Sequence, residues 1–357
     1  MDIEKTLGTR SRRGRLSLRT CRVIARGLLV CLVAPLLLPA CGPREAPGPA
    51  EPVAPGPSPA EESATAPDEG ERPVIALVMK SLANEFFVTM ENGAREHHAA
   101  HAGEYDLIAQ GIKDELDVAR QVQLVEQMVA QDVDAIVIAP ADSKALVPVC
   151  AKAMKAGIVV VNIDNKFDTD VLDDKQVQIP FVGPDNRKGA RLVGDYLAAR
   201  LEPRDSVAIV EGVPTAYNAV QRKQGFEDAV STGGLRLISS QSGSWQTAEA
   251  NQIVSAMITE HPDIKGVLCA NDNMALGAVA ALRAAGKLDE VAVVGFDNIQ
   301  AVQELLMKGE ILATADQHAD QLAVFGIEYA LDMIRGETIP VDRETPVDLI
   351  TRETLTQ

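Results

Sequence analysis

Polar side chains that could bind a ligand follow several apolar runs of this 357-residue chain. Lys80 and Asn84 come after the first run, and Asp164 and Asn165 come after the fourth. Comparable groups follow later runs, namely Asn271, Asp297 and Gln317. Carboxylates accept hydrogen bonds, ammonium groups donate them and amides do both, so the set is complementary to a neutral molecule rich in hydroxyl groups.

Four of the twelve aromatic residues of the chain lie in the same segments as these polar groups. They are Phe86, Phe87, Trp245 and Phe296. Flat apolar surfaces beside polar groups favour a pyranose ligand, whose C–H faces are apolar and whose edge carries hydroxyls. The alternative interpretation is that the three phenylalanines are core residues that cap a sheet.

These segments are separated by a regular alternation of predicted strands and helices. Nine apolar runs predict strands, at residues 74–79, 105–109, 135–138, 158–163, 206–210, 235–239, 266–269, 291–294 and 311–315. Helical patterns lie between them, for example at residues 116–130, 143–156 and 187–201. Continuous apolar runs such as 158–163 are typical of strands buried on both faces of a parallel sheet. The alternation predicts an α/β fold with two doubly wound sheets, whose ligands bind beyond the carboxyl ends of the strands.

An export signal is predicted at the N-terminus. Seven arginines between residues 10 and 26 precede an apolar run over 27–38, which is shorter than the roughly 20 residues that span a bilayer. The run ends before Cys41 in a sequence that resembles the lipobox of bacterial lipoproteins, where the cysteine is acylated and becomes the mature N-terminus. We therefore expect a signal peptide over 1–40, a lipidated Cys41 and an extracytoplasmic domain. An uncleaved membrane anchor is the alternative.

The charge distribution differs between the leader and the rest of the chain. The first 40 residues contain eight basic and two acidic residues, which leaves 26 basic against 49 acidic residues beyond them. A strongly acidic domain argues against a nucleic-acid partner and against polyanionic ligands. Residues 41–72 are rich in Pro, Ala, Glu and Gly and predict a disordered spacer. Cys150 and Cys269 are too few for a disulfide framework, so we expect buried free thiols.

Catalytic and metal-binding patterns are weak in this sequence. A nicotinamide-dependent enzyme needs a glycine-rich turn after the first strand, and residues 80–84 contain no glycine. His97 and His101 lie one helical turn apart and could bind a metal, but a third ligand is not evident, so a solvated helix face is favoured. The acidic segment 168–174 lacks the glycine of a calcium loop. We therefore predict no enzyme activity, no cofactor and no metal site.

From residue 73 to the C-terminus, the chain resembles type I periplasmic binding proteins of the ribose- and allose-binding group. The matching segments lie at residues 75–87, 160–164, 225–226, 269–277 and 293–297. The resemblance implies two doubly wound, Rossmann-like α/β lobes with parallel sheets, joined by a three-segment hinge. In that family the two lobes close on one sugar.

The resemblance also implies a role for individual residues. Lys80 and Asn84 would bond ring hydroxyls from the first lobe, and Asp164 would accept hydrogen bonds from two hydroxyls. Arg222 would supply donors from the second lobe, unless it lies on a solvated helix face. Trp245 would stack on the ring. The implied ligand-binding set is completed by Phe86, Phe87, Asn165, Asn271, Phe296, Asp297 and Gln317.

Two of these positions bear on the identity of the sugar. Lys80 resembles the allose-binding members, because ribose-binding members carry a small hydroxyl residue there; its alternative is to point outward. Asn165 departs from the arginine that follows the aspartate in ribose binders, whereas Phe296 matches the ribose type. The ligand is therefore expected to be a pyranose of the allose or ribose kind.

The lobes are expected to divide near residues 183–184, 316–317 and 346–349. The N-terminal lobe would comprise residues 73–183 and 318–347, and the C-terminal lobe residues 184–317 and 348–357. Asp185 is predicted to cap the helix that follows the first crossing. Three crossings form a hinge in which a few residues absorb the closing rotation.

The function implied by the resemblance is extracytoplasmic capture of a monosaccharide or polyol and its delivery to the permease of an ABC importer. We expect a periplasmic monomer that is held to the membrane by its lipid anchor alone. The alternative is a sensor of a sugar, polyol or signalling molecule that passes lobe closure to a membrane kinase or chemoreceptor. A sugar-responsive repressor would carry an N-terminal helix-turn-helix, where this chain has an export signal.

Overall fold

The computed structural model describes residues 72–356. The predicted signal peptide, Cys41 and the spacer up to residue 71 lie outside that range. Within it, the chain forms twelve strands and eleven helices that largely alternate. None of these described helices is both long enough and apolar enough to cross a membrane.

The first sheet has six strands in the order β11-β5-β4-β3-β1-β2, and each neighbouring pair is parallel. Its strands are β1 (Val74–Ser81), β2 (Asp106–Ile112), β3 (Ala135–Ile138), β4 (Val159–Ile163), β5 (Phe181–Pro184) and β11 (Arg343–Thr345). The central strands β1 and β3 are almost fully buried because helices cover both faces. This sheet and its helices form the first lobe.

The second sheet has four parallel strands in the order β7-β6-β8-β9. Its strands are β6 (Ser206–Glu211), β7 (Arg236–Ser242), β8 (Ile264–Cys269) and β9 (Ala292–Val294). An antiparallel pair, β10 (Thr314–Asp316) and β12 (Asp348–Ile350), adjoins it through a single bridge between Val294 and Ala313. These strands and their helices form the second lobe.

The helices connect the strands and cover the sheets. Their bounds are α1 (Glu85–Ala100), α2 (Val118–Ala130), α3 (Val147–Lys155), α4 (Thr169–Lys175), α5 (Asn186–Ala198), α6 (Tyr217–Thr232), α7 (Thr247–Glu260), α8 (Asp272–Ala284), α9 (Gln300–Lys308), α10 (Ala319–Ile334) and α11 (Arg352–Leu355). Helices α5 and α6 pack backbone to backbone at Gly225, where a Cβ atom would overlap the carbonyl of Arg187. The predicted cap at Asp185 is confirmed, because its Oδ1 accepts a hydrogen bond from Lys188 N at 3.0 Å.

The chain passes between the two lobes three times. It leaves the first sheet after β5 and enters α5, returns from β10 to α10, and leaves again between β11 and β12. Both sheets begin at an inner strand, β1 or β6, and extend to either side of it. The chain reversal beside that strand creates the crevice in which ligands of doubly wound sheets bind.

The predicted fold class is confirmed by these parallel sheets, and each of the nine predicted strands corresponds to a strand of the structure. Strands β5, β11 and β12 were not predicted as strands. Cys150 and Cys269 are buried free thiols, as predicted. Burial raises the pKa of the Cys150 thiol to about 12, so this thiol is inert at neutral pH.

Candidate functional site

The first lobe places Lys80 and Asn84 at the carboxyl end of β1. Asn84 is the N-cap of α1, and its Oδ1 accepts a hydrogen bond from Phe86 N at 3.1 Å. That bond orients the amide so that Nδ2 donates to Glu115 Oε1 at 3.2 Å. Glu115 lies in the loop after β2 and is buried, and this burial raises the pKa of its carboxyl, although Lys80 opposes the shift.

A buried ion pair joins the ends of β1 and β4. Lys80 Nζ lies 2.8 Å from Asp164 Oδ2, and both side chains are only 2–3% exposed. Asp164 has a φ angle of 61°, a left-handed conformation that is costly for a residue other than glycine. Removing two charges from water costs several kcal/mol per ion unless further hydrogen bonds compensate it. A strained, buried charge at a strand end is typical of a functional position.

The second lobe contributes Arg222 from α6. Its Nε donates to Asn186 Oδ1 at 2.8 Å, and Nη1 donates to Ala270 O at 2.9 Å. The guanidinium lies over the ring of Phe296, with its Cζ 3.7 Å from the ring centroid. Arg222 is 2% exposed, and this burial lowers the pKa of the guanidinium, although Asp297 opposes the shift. The alternative of a solvated helix face for Arg222 is therefore wrong.

Asp297 and Gln317 complete the polar wall of the second lobe. Gln317 Nε2 donates to Asp297 Oδ1 at 2.8 Å, and Arg222 Nη1 lies 3.4 Å from the same oxygen. Asp297 has a φ angle of 126°. Burial raises the pKa of the Asp297 carboxyl, while the nearby Arg222 guanidinium opposes that shift.

Three aromatic rings face this polar wall. Phe86 and Phe87 pack edge to face, with their centroids 5.1 Å apart. Trp245 is 5% exposed and lies near both cations of the site, 5.9 Å from Lys80 Nζ and 5.7 Å from Arg222 Cζ, measured to its ring. A Cβ atom at Gly212 would overlap the indole, so the absence of a side chain there makes room for the ring.

These groups line a cavity that contains about 230 Å³ of empty space, part of it open to solvent. Its lining comprises Lys80, Asn84, Phe86, Phe87, Glu115, Asp164, Asn218, Arg222, Trp245, Asn271, Asp297 and Gln317. Ten of the twelve residues selected from the sequence are therefore brought together. Lys80 faces the cavity, and its outward alternative is wrong.

Asn165 and Phe296 are the two selected residues that do not line the cavity. The side chain of Asn165 is fully buried and engages protein groups, with Nδ2 donating to Pro140 O at 2.9 Å. Phe296 lies beneath the guanidinium of Arg222 and supports it from behind. Both residues are therefore placed one layer away from the cavity surface.

Glu115 and Asn218 line the cavity but were not selected from the sequence. Glu115 follows a predicted strand, so the strand-end argument could have identified it. Asn218 precedes Arg222 by four residues, and residues at that spacing share a helix face. Arg222 could therefore have identified it.

Four polar atoms of the cavity lining have no hydrogen-bond partner within the protein. They are Asp164 Oδ2, Asn218 Oδ1, Arg222 Nη2 and Gln317 Oε1, and they make up four of the six such atoms in residues 72–356. Asp164 Oδ2 is paired electrostatically with Lys80 but lacks hydrogen-bond geometry to it. Buried polar atoms are rarely left unpaired, so a cluster of them indicates a site built for a polar ligand. Donors and acceptors are both present, as a hydroxyl-bearing ligand requires.

The histidines of α1 lie apart from this cavity. The rings of His97 and His101 are stacked, with centroids 4.1 Å apart, and His97 Nδ1 is 2.9 Å from the hydroxyl of Tyr105. Burial, with a contribution from His101, lowers the pKa of His97. Over the described part of the chain, no three His, Cys, Asp or Glu side chains are grouped closely enough to hold a metal ion.

Comparison with known proteins identifies the class to which this fold and site belong. Residues 75–338 match the family described as a periplasmic binding protein domain. The chain therefore belongs to the periplasmic binding protein family, as the sequence predicted. Members of this family are transport proteins that bind sugars and not enzymes, which confirms the prediction that the chain is not an enzyme. Family membership also places the protein in the periplasm.

Individual relatives make the likeness more specific. A D-ribose/D-allose-binding protein from Pseudomonas aeruginosa is 57% identical over 293 residues, covering 81% of this chain and 92% of the relative. The solved structure of an ABC transporter solute-binding protein from Burkholderia multivorans has a TM-score of 0.77 and 58% identity, covering 79% of this chain and 100% of that one. A second solute-binding protein, from Actinobacillus succinogenes, was solved with bound D-allose. It has a TM-score of 0.76 and 36% identity, covering 80% of this chain and 99% of that one.

Proposed function

We propose that this protein captures a monosaccharide in the cavity between its two lobes and delivers it to the permease of an ABC importer. The observation that carries the proposal is the cluster of four polar atoms without a hydrogen-bond partner in a cavity that aromatic rings also line. The charged groups of the lining have partners within the protein. Lys80 pairs with Asp164, Arg222 pairs with Asp297, and Glu115 accepts a hydrogen bond from Asn84. The cavity therefore favours a neutral ligand. The relatives in ABC transporters favour an importer over a sensor.

The ligand is an aldose of the allose or ribose type in its pyranose form. The names of the Pseudomonas and Actinobacillus relatives support these two sugars. Lys80 and Asp164 would bind hydroxyls at one edge of the ring, with the Phe86 and Phe87 rings and the Trp245 indole against its faces. Arg222 Nη2 and Gln317 Oε1 would bind the opposite edge as donor and acceptor, respectively.

The three chain crossings form the hinge of this binding protein. The N-terminal lobe comprises residues 73–183 and 318–347, and the C-terminal lobe residues 184–317 and 348–357. Few residues connect the lobes at each crossing, so a rotation there moves each lobe as a unit. A bound sugar that contacts both lobes favours the closed form because its binding groups come together only on closure.

The anchoring of the protein is part of the same proposal. A leader over residues 1–40 directs export, and acylation of Cys41 attaches the mature chain to a membrane. The acidic, proline-rich segment 41–72 acts as a spacer between the lipid and the lobes. The protein acts as a monomer, with the sugar and the permease as its partners.

Thermal unfolding in the presence of a sugar panel tests the proposed function. A ligand that binds only the folded state stabilises it by about 2.7 kcal/mol at 100 times its dissociation constant. We expect D-allose or D-ribose to raise the midpoint, and Asp164→Ala and Trp245→Ala to abolish the rise while both variants still unfold cooperatively. A panel of pentoses, hexoses, deoxysugars and polyols that leaves the midpoint unchanged would contradict the proposal, as would full ligand-induced shifts in both variants.

A further inference from the structure

Helix α6 begins without a side-chain cap of its own. Its N-cap residue is Ala216, which has no side-chain oxygen. The first two amides of the helix are instead paired with side chains of the first lobe. Tyr217 N donates to Ser143 Oγ at 2.9 Å, and Asn218 N donates to Asn165 Oδ1 at 3.1 Å. The cap of this second-lobe helix is therefore supplied from across the cleft.

The two capping side chains form a closed hydrogen-bond network. Ser143 Oγ donates to Asn165 Oδ1 at 3.2 Å, so that oxygen accepts two hydrogen bonds. Asn165 Nδ2 donates to Pro140 O. Ser143 and Asn165 are buried, and Ser143 N adds a further cross-cleft bond to Thr215 O at 3.4 Å. The Ser143–Asn165 and Asn165–Pro140 bonds lie within the first lobe and hold the two side chains in place. The amides of Tyr217 and Asn218 in the second lobe reach these acceptors only when the lobes are together.

A second helix of the second lobe follows the same pattern. Helix α9 has Ile299 as its N-cap and no side-chain cap of its own. Its first amide, Gln300 N, donates to Glu85 Oε1 at 2.7 Å, and Glu85 lies in the first turn of α1 in the first lobe. Other helices are capped by their own side chains, among them α1, α2 and α4 of the first lobe and α5 and α8 of the second. Helices α3, α7 and α10 have no side-chain cap at all, so what distinguishes α6 and α9 is that the other lobe supplies their caps.

We propose that Ser143, Asn165 and Glu85 are positioning residues that cap α6 and α9 across the cleft and thereby stabilise the closed form. The inference rests on the proposed function, because closure matters only if a ligand is enclosed. Helix α6 also brings Asn218 and Arg222 to the cavity, so the cap and the ligand act on the same helix. Asn165 thus acts on sugar binding through α6 without touching the sugar.

Loss of the caps should lower the affinity for every ligand by the same factor. Ligand affinity is reduced in proportion to the fraction of protein in the binding-competent state. Loss of the caps lowers the closed fraction, whereas loss of a residue that touches the sugar also changes which sugar is preferred. A uniform loss of affinity is therefore the signature of a closure role.

The test is the double variant Ser143→Ala/Glu85→Ala, titrated calorimetrically with D-allose and with D-ribose. We expect both dissociation constants to rise by the same factor, about tenfold, which corresponds to about 1.4 kcal/mol. The matched control is Asp117→Ala, which removes the cap of α2 within the first lobe. The control should lower the unfolding midpoint and leave both dissociation constants unchanged.

Unchanged affinity in the double variant, or a changed preference between the two sugars, would overturn the inference. If the parent protein binds neither sugar, the proposed function fails. Amide hydrogen exchange then tests the cross-cleft capping separately from ligand binding. The amides of Tyr217 and Gln300, whose side-chain acceptors the double variant removes, should exchange faster in that variant than in the parent. Equal exchange rates at these amides would overturn the capping role.

Discussion

Three residues of this site have backbone conformations that are uncommon for side chains other than glycine. Asp164, Trp245 and Asp297 have positive φ angles of 61°, 66° and 126°, respectively. None of them is glycine, and such conformations cost of order 1–3 kcal/mol each. All three line the cavity. At these three positions, a strained backbone therefore accompanies a side chain that lines the cavity.

Gly212→Ala tests whether the indole of Trp245 must occupy its observed position. A Cβ atom at residue 212 would overlap that ring, so the indole should move into the cavity. We expect the affinity for D-allose to fall at least tenfold and the free energy of unfolding to fall by about 1–3 kcal/mol, as in other overpacked cores. Trp245 is the only tryptophan of the chain, so its fluorescence emission reports the displacement directly.

Gly103→Ala is the matched control for that substitution. A Cβ atom at residue 103 would have no neighbour within 4 Å, so both the emission and the D-allose affinity should stay at the parent values. Parent affinity together with an unshifted emission spectrum in Gly212→Ala would show that the indole does not need this space.

The site residues that could be predicted from the sequence are those that follow a predicted strand. Lys80, Asp164 and Asn271 follow apolar runs directly, and the edge of a parallel sheet brings such positions together. Asn165 satisfies the same rule yet turns away from the cavity, because its amide pairs with Pro140 and Asn218. The rule identifies the edge of the sheet, but the direction of a side chain there depends on hydrogen bonds between distant segments.

At the scale of elements, Asp272 ties three parts of the second lobe together. It lies in the first turn of α8 and is fully buried. Its Oδ1 accepts a hydrogen bond from Thr314 Oγ1 at 2.8 Å, and its Oδ2 accepts one from Ile299 N at 3.0 Å. The loop between β9 and α9 carries Asp297, so Asp272 helps to hold that cavity residue in place.

Asp272 should make the stability of the protein depend on pH. Burial raises the pKa of its carboxyl from 3.8 to about 7. Between these values the folded state retains a proton that the unfolded state has lost, so stability falls as pH rises through this window and levels off above it. We expect the unfolding free energy to decline between pH 5 and pH 8 by about 2 kcal/mol more in the parent than in Asp272→Asn, measured by urea titration.

The asparagine variant is suited to this comparison because it can keep both hydrogen bonds. Its Oδ1 can accept from Ile299 N, and its Nδ2 can donate to Thr314 Oγ1, whose hydroxyl rotates freely. Glu115 also has a raised pKa, but Asp272 is not among its causes, so its contribution cancels in the difference. The Asp272 carboxylate helps to raise the pKa of Asp297, so the measured difference belongs to Asp272 together with its effect on Asp297. If the unfolding free energy depends on pH identically in the two proteins, Asp272 is not the source of the predicted pH dependence.

The order of strands and helices was predictable because buried parallel strands are long apolar runs. The missed strands lack that signal. Strand β5 is only four residues long and ends in Gly183-Pro184, which is typical of a turn. Strand β11 is a three-residue edge strand with two exposed charged residues, and its pairing with β5 joins segments that are distant in the sequence. Short edge strands are defined by their partner and not by their own composition.

At the scale of the whole molecule, the proposed binding cycle needs two opposing properties: crossings that bend and contacts that join the lobes across the cleft. In the proposed hinge the crossings bend for a sugar to enter. The caps on α6 and α9 and the bond between Gln246 Nε2 and Asp114 Oδ1 at 3.3 Å join the two lobes, and under the proposal they oppose that opening. A binding protein that must release its ligand cannot close too tightly. Several moderate hydrogen bonds of about 1 kcal/mol each give an adjustable balance.

Cys41→Ser tests how the molecule is attached to the cell. If Cys41 is acylated, the parent protein should incorporate a labelled fatty acid and partition into detergent, while the variant should do neither and still bind D-allose as the parent does. Cys31→Ser is the matched control, because it removes a thiol within the apolar run and should leave labelling intact. If the Cys41→Ser protein stays in membranes after carbonate extraction, the result would instead support an uncleaved membrane anchor. A single acyl chain attached at another residue would bind the membrane only reversibly. Both outcomes leave the lobes on the same side of the membrane. The experiment therefore distinguishes a lipid anchor from an uncleaved membrane anchor and does not test where the sugar is bound.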